Sequence, residues 1–194
     1  MGGFIVLMAL MMALNATAID IMLPALPAMR DALGIVEANA EQFVITAYLA
    51  GFGIGQFFMG ALSDRLGRRA VLLAGLATYA IGALLSVMAP DYTMLLAARA
   101  AQGVGAASPR IMVTAVIRDC YTGRQMARVT SFAMMAFMAA PVFAPSIGQA
   151  IMLVGSWRWI FGFLALYGAV VLTACAFLLP ETLPQEWRRG LGLR

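Results

Sequence analysis

The sequence contains no histidine and no lysine: its net charge of +4 sets 13 basic residues, all arginine, against 9 acidic ones. Without histidine, the side chain that titrates most readily near neutral pH is missing, so any proton chemistry falls to carboxylates. Charge of either sign is scarce. Only 11% of the 194 residues are charged, against about 25% in soluble domains, and 63% are hydrophobic with a mean hydropathy of +0.90. That composition excludes a soluble globular protein. Cysteine is nearly absent too. Cys120 falls in a polar stretch and Cys175 in an apolar run, which argues against a disulfide framework and offers no metal-ligand spacing. There is no nucleotide-binding loop, so ATP-driven pumping is disfavoured, and no nucleophile–base pair, so no enzyme, cofactor or metal is implied. The arginines sit in short segments between apolar spans, which points to a lipid bilayer rather than nucleic acid.

What the sequence has is long apolar runs. A membrane-crossing helix needs about 20 apolar residues, and six stretches qualify: 4–23, 42–62, 70–89, 93–117, 129–153 and 159–179, with a polar, basic tail over 180–194. Phe4–Leu14 followed by Ala16-Thr17-Ala18 mimics a secretory leader, but no positive charge precedes it and apolar residues continue through Ile19–Leu23, so a first span is expected instead. Pro24 and Pro27 end that span. Stretches expected to lie between spans alternate in charge. Arg65, Arg68 and Arg69, then Arg118, Arg124 and Arg128, then Arg188, Arg189 and Arg194 fall on one side, with Arg30 and Arg158 on the other. Short basic loops stay in the cytoplasm, which predicts a multi-pass protein with both termini cytoplasmic. Trp157 and Trp159 then lie at the outer membrane face, where aromatic anchors collect.

The densest charge is in Gly60–Leu72, GALSDRLGRRAVL. An ionised side chain at mid-membrane costs roughly 2.5–3.5 kcal/mol, so this segment is expected as a turn at a membrane face. Its Gly60, Leu62, Asp64, Arg65, Gly67, Arg68 and Arg69 resemble the loop signature G-x-L-a-D-r-x-G-r-[RK] of the major facilitator superfamily. Arg99, Gln102 and Gly103 match a second signature, R-x-x-Q-G. Ala18–Pro27 (AIDIMLPALP) and Leu179–Leu183 (LPETL) are similar to the Bcr/CflA (bicyclomycin and chloramphenicol resistance) branch of twelve-helix drug:proton antiporters. One pattern departs: the fifth-span antiporter signature, a glycine-proline pair followed by two glycines, reads Ala144-Pro145-Ser146-Ile147-Gly148-Gln149 here.

The resemblance implies an all-α membrane protein, six transmembrane helices forming the N-terminal half of a major facilitator fold as two three-helix inverted repeats. The partner it implies is a second six-helix half, or else a homo-oligomer. The location implied is the bacterial inner membrane, and the activity proton-coupled efflux of a small lipophilic drug by alternating access. Two other readings remain: a proton-coupled metabolite uptake symporter, and a truncated, non-transporting fragment.

Several residues could carry the chemistry. Asp20 lies in the first span near its outer end, where a carboxylate is costly when ionised and can exist protonated; it serves a proton or cationic-drug site, or caps the helix before Pro24. Arg99 lies about 9 Å into the fourth span and cannot shed its charge, so it needs water or a partner, and Asp20 is geometrically possible. Arg110, about three turns further on, extends a polar track or snorkels to the headgroups. Asn15 and Gln102, with Gln56 and Gln149, add neutral cavity contacts or hold helices together. In the charged turn, Asp64 and Arg68 are spaced to pair and Asp119 can join Arg68; the resemblance makes Gly60, Asp64, Arg65, Gly67, Arg68, Arg69 and Asp119 a conformational latch. Pro141 and Pro145 with Gly148 are expected to bend the fifth span. The 15 methionines offer adaptable apolar walls or lipid-facing packing.

Overall fold

The computed structural model describes residues 2–182, all helices and their short connections with no strand among them. Arg188, Arg189 and Arg194, the last group in the charge alternation, lie outside the described residues, as does Leu183. The helices are α1 (Gly2–Asp20), α2 (Leu26–Ala32), α3 (Phe43–Leu66), α4 (Arg68–Met88), α5 (Tyr92–Cys120), α6 (Gly123–Val154) and α7 (Arg158–Leu178). Five helical stretches are long and apolar enough to cross a membrane: Gly2–Ala32, Ala40–Leu66, Arg68–Met88, Gly123–Val154 and Arg158–Leu178. Helix α5 has the length, at 29 residues, but Arg99, Arg110 and Arg118 break its apolar runs.

Local chemistry sets the helix ends. Pro24 and Pro27 give up the backbone donors that α1 would need to continue, so the chain passes through one 3-10 turn, Leu23–Ala25, into the short α2. Asp91 caps α5, its carboxylate accepting from the Met94 amide at 2.8 Å, as N-cap residues do.

Two stretches differ from the sequence expectation. The Gly60–Leu72 segment is not a loop: α3 runs to Leu66 and α4 starts at Arg68, with Gly67 alone between them at φ +99°, a conformation open to glycine and costly for other residues. The polar stretch Cys120–Arg128 is helical again from Gly123. Apolar content measures where lipid lies, whereas arginine is a good helix former, so helices extend past their apolar runs.

Small residues fix the packing. A side chain on Gly51 would overlap the Ala100 carbonyl, one on Gly103 the Tyr48 carbonyl, and one on Gly55 would press on Val104 and Ala107, so α3 and α5 touch backbone to backbone. Gly75 and Gly105 do the same for α4 on α5. Gly148, expected as a bend residue, is where α6 meets α1: a side chain there would overlap the Ile21 carbonyl. Helix α6 itself runs unbroken through Pro141 and Pro145. The main pairings are α3 on α5, α4 on α5, α4 on α7 and α1 on α6. Exchanging α1 with α5, α3 with α6 and α4 with α7 turns the first pairing into the last and leaves the α4–α7 pairing unchanged. Helices α3 and α6 keep wide apolar faces outward, with Phe57 at 87% and Met138 at 72% exposure.

Candidate functional site: a buried arginine and a charged groove

Arg99 is the largest fully buried side chain of the described residues, at 0% exposure. Small neighbours on α5 and the glycine crossings let α1, α3 and α7 close around it. Its Nε donates to the Val44 carbonyl at 3.3 Å, one terminal nitrogen to Gln102 Oε1 at 2.6 Å, and the other to the Ala18 carbonyl at 3.1 Å. The guanidinium also lies 4.3 Å from the Tyr48 ring centre and 5.7 Å from that of Phe161, within cation–π range. Tyr48 passes the network on by donating to Asn15 Oδ1 at 2.8 Å.

The acceptors explain how a charge survives here. Ala18 lies in the last turn of α1, whose carbonyls lack intrahelical donors and carry the negative end of the helix dipole. Arg99 therefore caps α1 from another helix. No carboxylate takes part: among the described residues the ion pairs all belong to Arg68. Asp20 is half-buried and makes no ion pair with Arg99. Residues two apart on a helix do not share a face, so gripping α1 at Ala18 does not bring Asp20 round. Beside this network Gln102 Nε2 and the Tyr79 hydroxyl are buried without a hydrogen bond of normal geometry.

A second charged site lies where α3 turns into α4. Arg68 reaches Asp64 at 2.7 Å and Asp119 at 3.6 Å, and donates to Ser63 Oγ at 2.7 Å. Arg69 donates to the Ala176 carbonyl at 2.6 Å, tying α4 to the end of α7. Arg65 is exposed and outside the cluster, and the space where a Gly60 side chain would point is open. These residues border an open groove of about 560 Å3, lined by Gln56, Gly60, Asp64, Arg68, Arg110 and Asp119 among others. Arg110 thus stands in the same groove as the charged cluster. Its guanidinium rests on Met12 Sδ at 2.8 Å and 4.8 Å from the Phe137 ring centre.

Sequence reasoning missed several partners. Tyr48 and Phe161 lie in apolar runs where aromatics are ordinary, and nothing in the sequence marks them as a seat for Arg99. Glu181 and Thr182 stand in the sequence only as part of LPETL. The Glu181 carboxylate accepts from the Arg68 amide at 3.0 Å, and Thr182 donates to Asp119 Oδ2 at 3.2 Å. A carboxylate just after an apolar run that ends opposite a basic turn was the available signal.

Comparison with known proteins places the chain. The family model for the Major Facilitator Superfamily matches residues 8–191. Multidrug resistance protein D of Escherichia coli (strain K12) is 34% identical over 184 residues, which cover 95% of this chain and 46% of that protein. The uncharacterized MFS-type transporter YdgK of Bacillus subtilis (strain 168) is 35% identical over 184 residues, 94% of this chain and 46% of that protein. The crystal structure of a D-xylose-proton symporter superposes with a TM-score of 0.80 at 15% identity, covering 93% of this chain and 48% of the other, a likeness of fold. The chain spans about half the length of the curated relatives it matches, and it belongs to the Major Facilitator Superfamily.

Proposed function

From that membership we propose that the chain acts as the amino-terminal six-helix half of a proton-coupled exporter of small lipophilic drugs, in the Bcr/CflA branch, with both termini in the cytoplasm of a bacterial inner-membrane protein. In this reading α5 crosses the membrane as the fourth of six spans despite its arginines, because Arg99 is sheltered by α1, α3 and α7. The exposed faces of α3 and α6 receive a second six-helix half. Similarity to a multidrug resistance protein over nearly the whole chain supports the efflux direction.

The observation that carries the coupling is a permanent cation gripping the last turn of α1, with a titratable carboxylate, Asp20, at the end of that turn. Protonation of Asp20 removes a negative charge from a helix end that Arg99 already neutralises, and this shifts how firmly the end is held. Asn15 and Gln102 keep the guanidinium seated, and Arg110 lines the charged groove. The Asp64–Arg68–Asp119 cluster, with Gly60, Gly67 and Arg69, is the latch at the cytoplasmic face, and α6 flexes at Pro141 and Pro145.

Inverted membrane vesicles from cells expressing the chain test this. With an imposed pH gradient, a lipophilic cation such as ethidium should release vesicle protons in a concentration-dependent way, and Asp20→Asn should abolish the response. Proton release that survives Asp20→Asn overturns the assignment of Asp20. No release with any lipophilic compound overturns transport by the chain as it stands.

A further inference from the structure

Away from both charged sites, Val87 of α4, Ile151 and Val154 of α6, and Trp159, Phe163 and Leu166 of α7 line an open groove of about 600 Å3. Its walls are apolar. Gly162 lies midway along it, with no atom within 4 Å of where a side chain would start. From Arg158 to Leu166 the groove follows α7 for about 12 Å at the helical rise. Arg158 supplies the one charged side chain in the lining, and it stands at the α7 terminus, beside Trp157 and Trp159.

Arg158 is held there. It donates to the Ala89 carbonyl at 3.0 Å and its guanidinium lies 4.2 Å from the Trp157 ring centre. Among the described residues no carboxylate comes within ion-pair distance of it. Asp91, near Ala89 in sequence, turns its carboxylate to the Met94 amide instead. A fixed, half-buried cation without a counter-charge sits at the mouth of an apolar slot. Helices α4, α6 and α7, which form the slot, each have membrane-crossing length.

We propose that this groove is a binding site for an anionic phospholipid, its phosphate on Arg158 and one acyl chain lying over Gly162 between α6 and α7. Charge complementarity selects the occupant: the mouth offers a cation and exposed Trp159, 64% accessible, which suits the headgroup level of a bilayer, and arginine attracts anionic lipid surfaces. The apolar walls below accept a hydrocarbon chain. This inference stands on the membrane location alone and is independent of the transport reading.

Tryptophan quenching by brominated lipids tests it. The purified chain is reconstituted in phosphatidylcholine vesicles and titrated with phosphatidylglycerol or phosphatidylcholine carrying brominated acyl chains. Brominated phosphatidylglycerol should quench in a saturable step at about fivefold lower mole fraction than brominated phosphatidylcholine, the scale expected for one arginine and an anionic headgroup. Trp159→Phe should remove that step. Arg158→Ala should equalise the two lipids, and Gly162→Phe, which fills the slot and leaves the charge, should abolish saturation for both. Equal quenching of the wild-type chain by the two lipids overturns the proposal without recourse to any variant. So does a phosphatidylglycerol preference that persists in both Arg158→Ala and Gly162→Phe. Inorganic phosphate at millimolar concentration should leave the quenching unchanged; displacement of the lipid by it would mean that the acyl chain contributes nothing, and would overturn the groove as the site.

Discussion

Arg68 and Arg99 carry the same charge and solve it in opposite ways. Arg68, at the water-facing end of α4, is surrounded by carboxylates: Asp64 at 2.7 Å and Asp119 at 3.6 Å. Arg99, with no exposed surface, meets two backbone carbonyls, one amide oxygen and two aromatic rings. Moving a second ion into the interior adds its own desolvation cost, several kcal/mol per ion. Fixed dipoles and ring faces are already desolvated and add little. The buried site therefore runs on neutral partners, and the peripheral site on full charges that water and salt can reach.

The largest consequence is at Arg99. Arg99→Ala leaves the Ala18 carbonyl and Gln102 Oε1 without donors, and each buried orphan costs about 1–3 kcal/mol. A combined loss of about 3 kcal/mol should lower the melting temperature of the detergent-purified chain by roughly 6–12 °C. A drop under about 2 °C would mean that water or another group replaces the guanidinium. Tyr48→Phe keeps the ring under Arg99 and removes only the hydrogen bond to Asn15. It should cost about 1 kcal/mol, roughly 2–4 °C in the same assay.

A sharper contrast comes from salt. In a double-mutant cycle, the Arg68–Asp119 coupling should be about 0.2–1 kcal/mol at low ionic strength and vanish near 1 M salt, where the screening length is about 3 Å. The Arg99–Gln102 coupling should be unchanged across that range. A salt-dependent Arg99 coupling would place water at the interior site. The gentlest probe uses the native cysteines. Cys120, next to Asp119, is exposed, whereas Cys175 is buried with its sulfur 3.4 Å from Met11 Sδ. A membrane-impermeant maleimide should label inside-out vesicles at Cys120 alone and leave right-side-out vesicles unlabelled. Labelling from outside would invert the orientation drawn from the arginines.

The charged turn was legible because its chemistry is local. Asp64, Gly67 and Arg68 lie within five positions, and their spacing alone brings the pair together. The apolar runs announced the helices for the same reason. Arg99 was legible as a residue in need of a partner, but its partners were not, since they are carbonyls. Every residue has a carbonyl, and only the break of α1 before Pro24 makes that of Ala18 available. Asp20 drew attention as the charge in the first span, yet on a helix its position relative to Ala18 turns it elsewhere. Gly148 shows the limit in another form: a glycine near two prolines suggests flexibility, and only the path of α1 reveals that it makes room for the Ile21 backbone.

Two contacts just past the end of α7 have a mechanical meaning. Glu181 holds the first backbone amide of α4 and Thr182 holds Asp119, so the polypeptide leaving α7 is fastened to two residues that line the charged groove. Tension on the chain after Thr182 is delivered to the Asp64–Arg68–Asp119 cluster before it reaches α7. The cluster is then a cleat, and the outgoing chain is the rope made fast to it: slackening either one loosens the other.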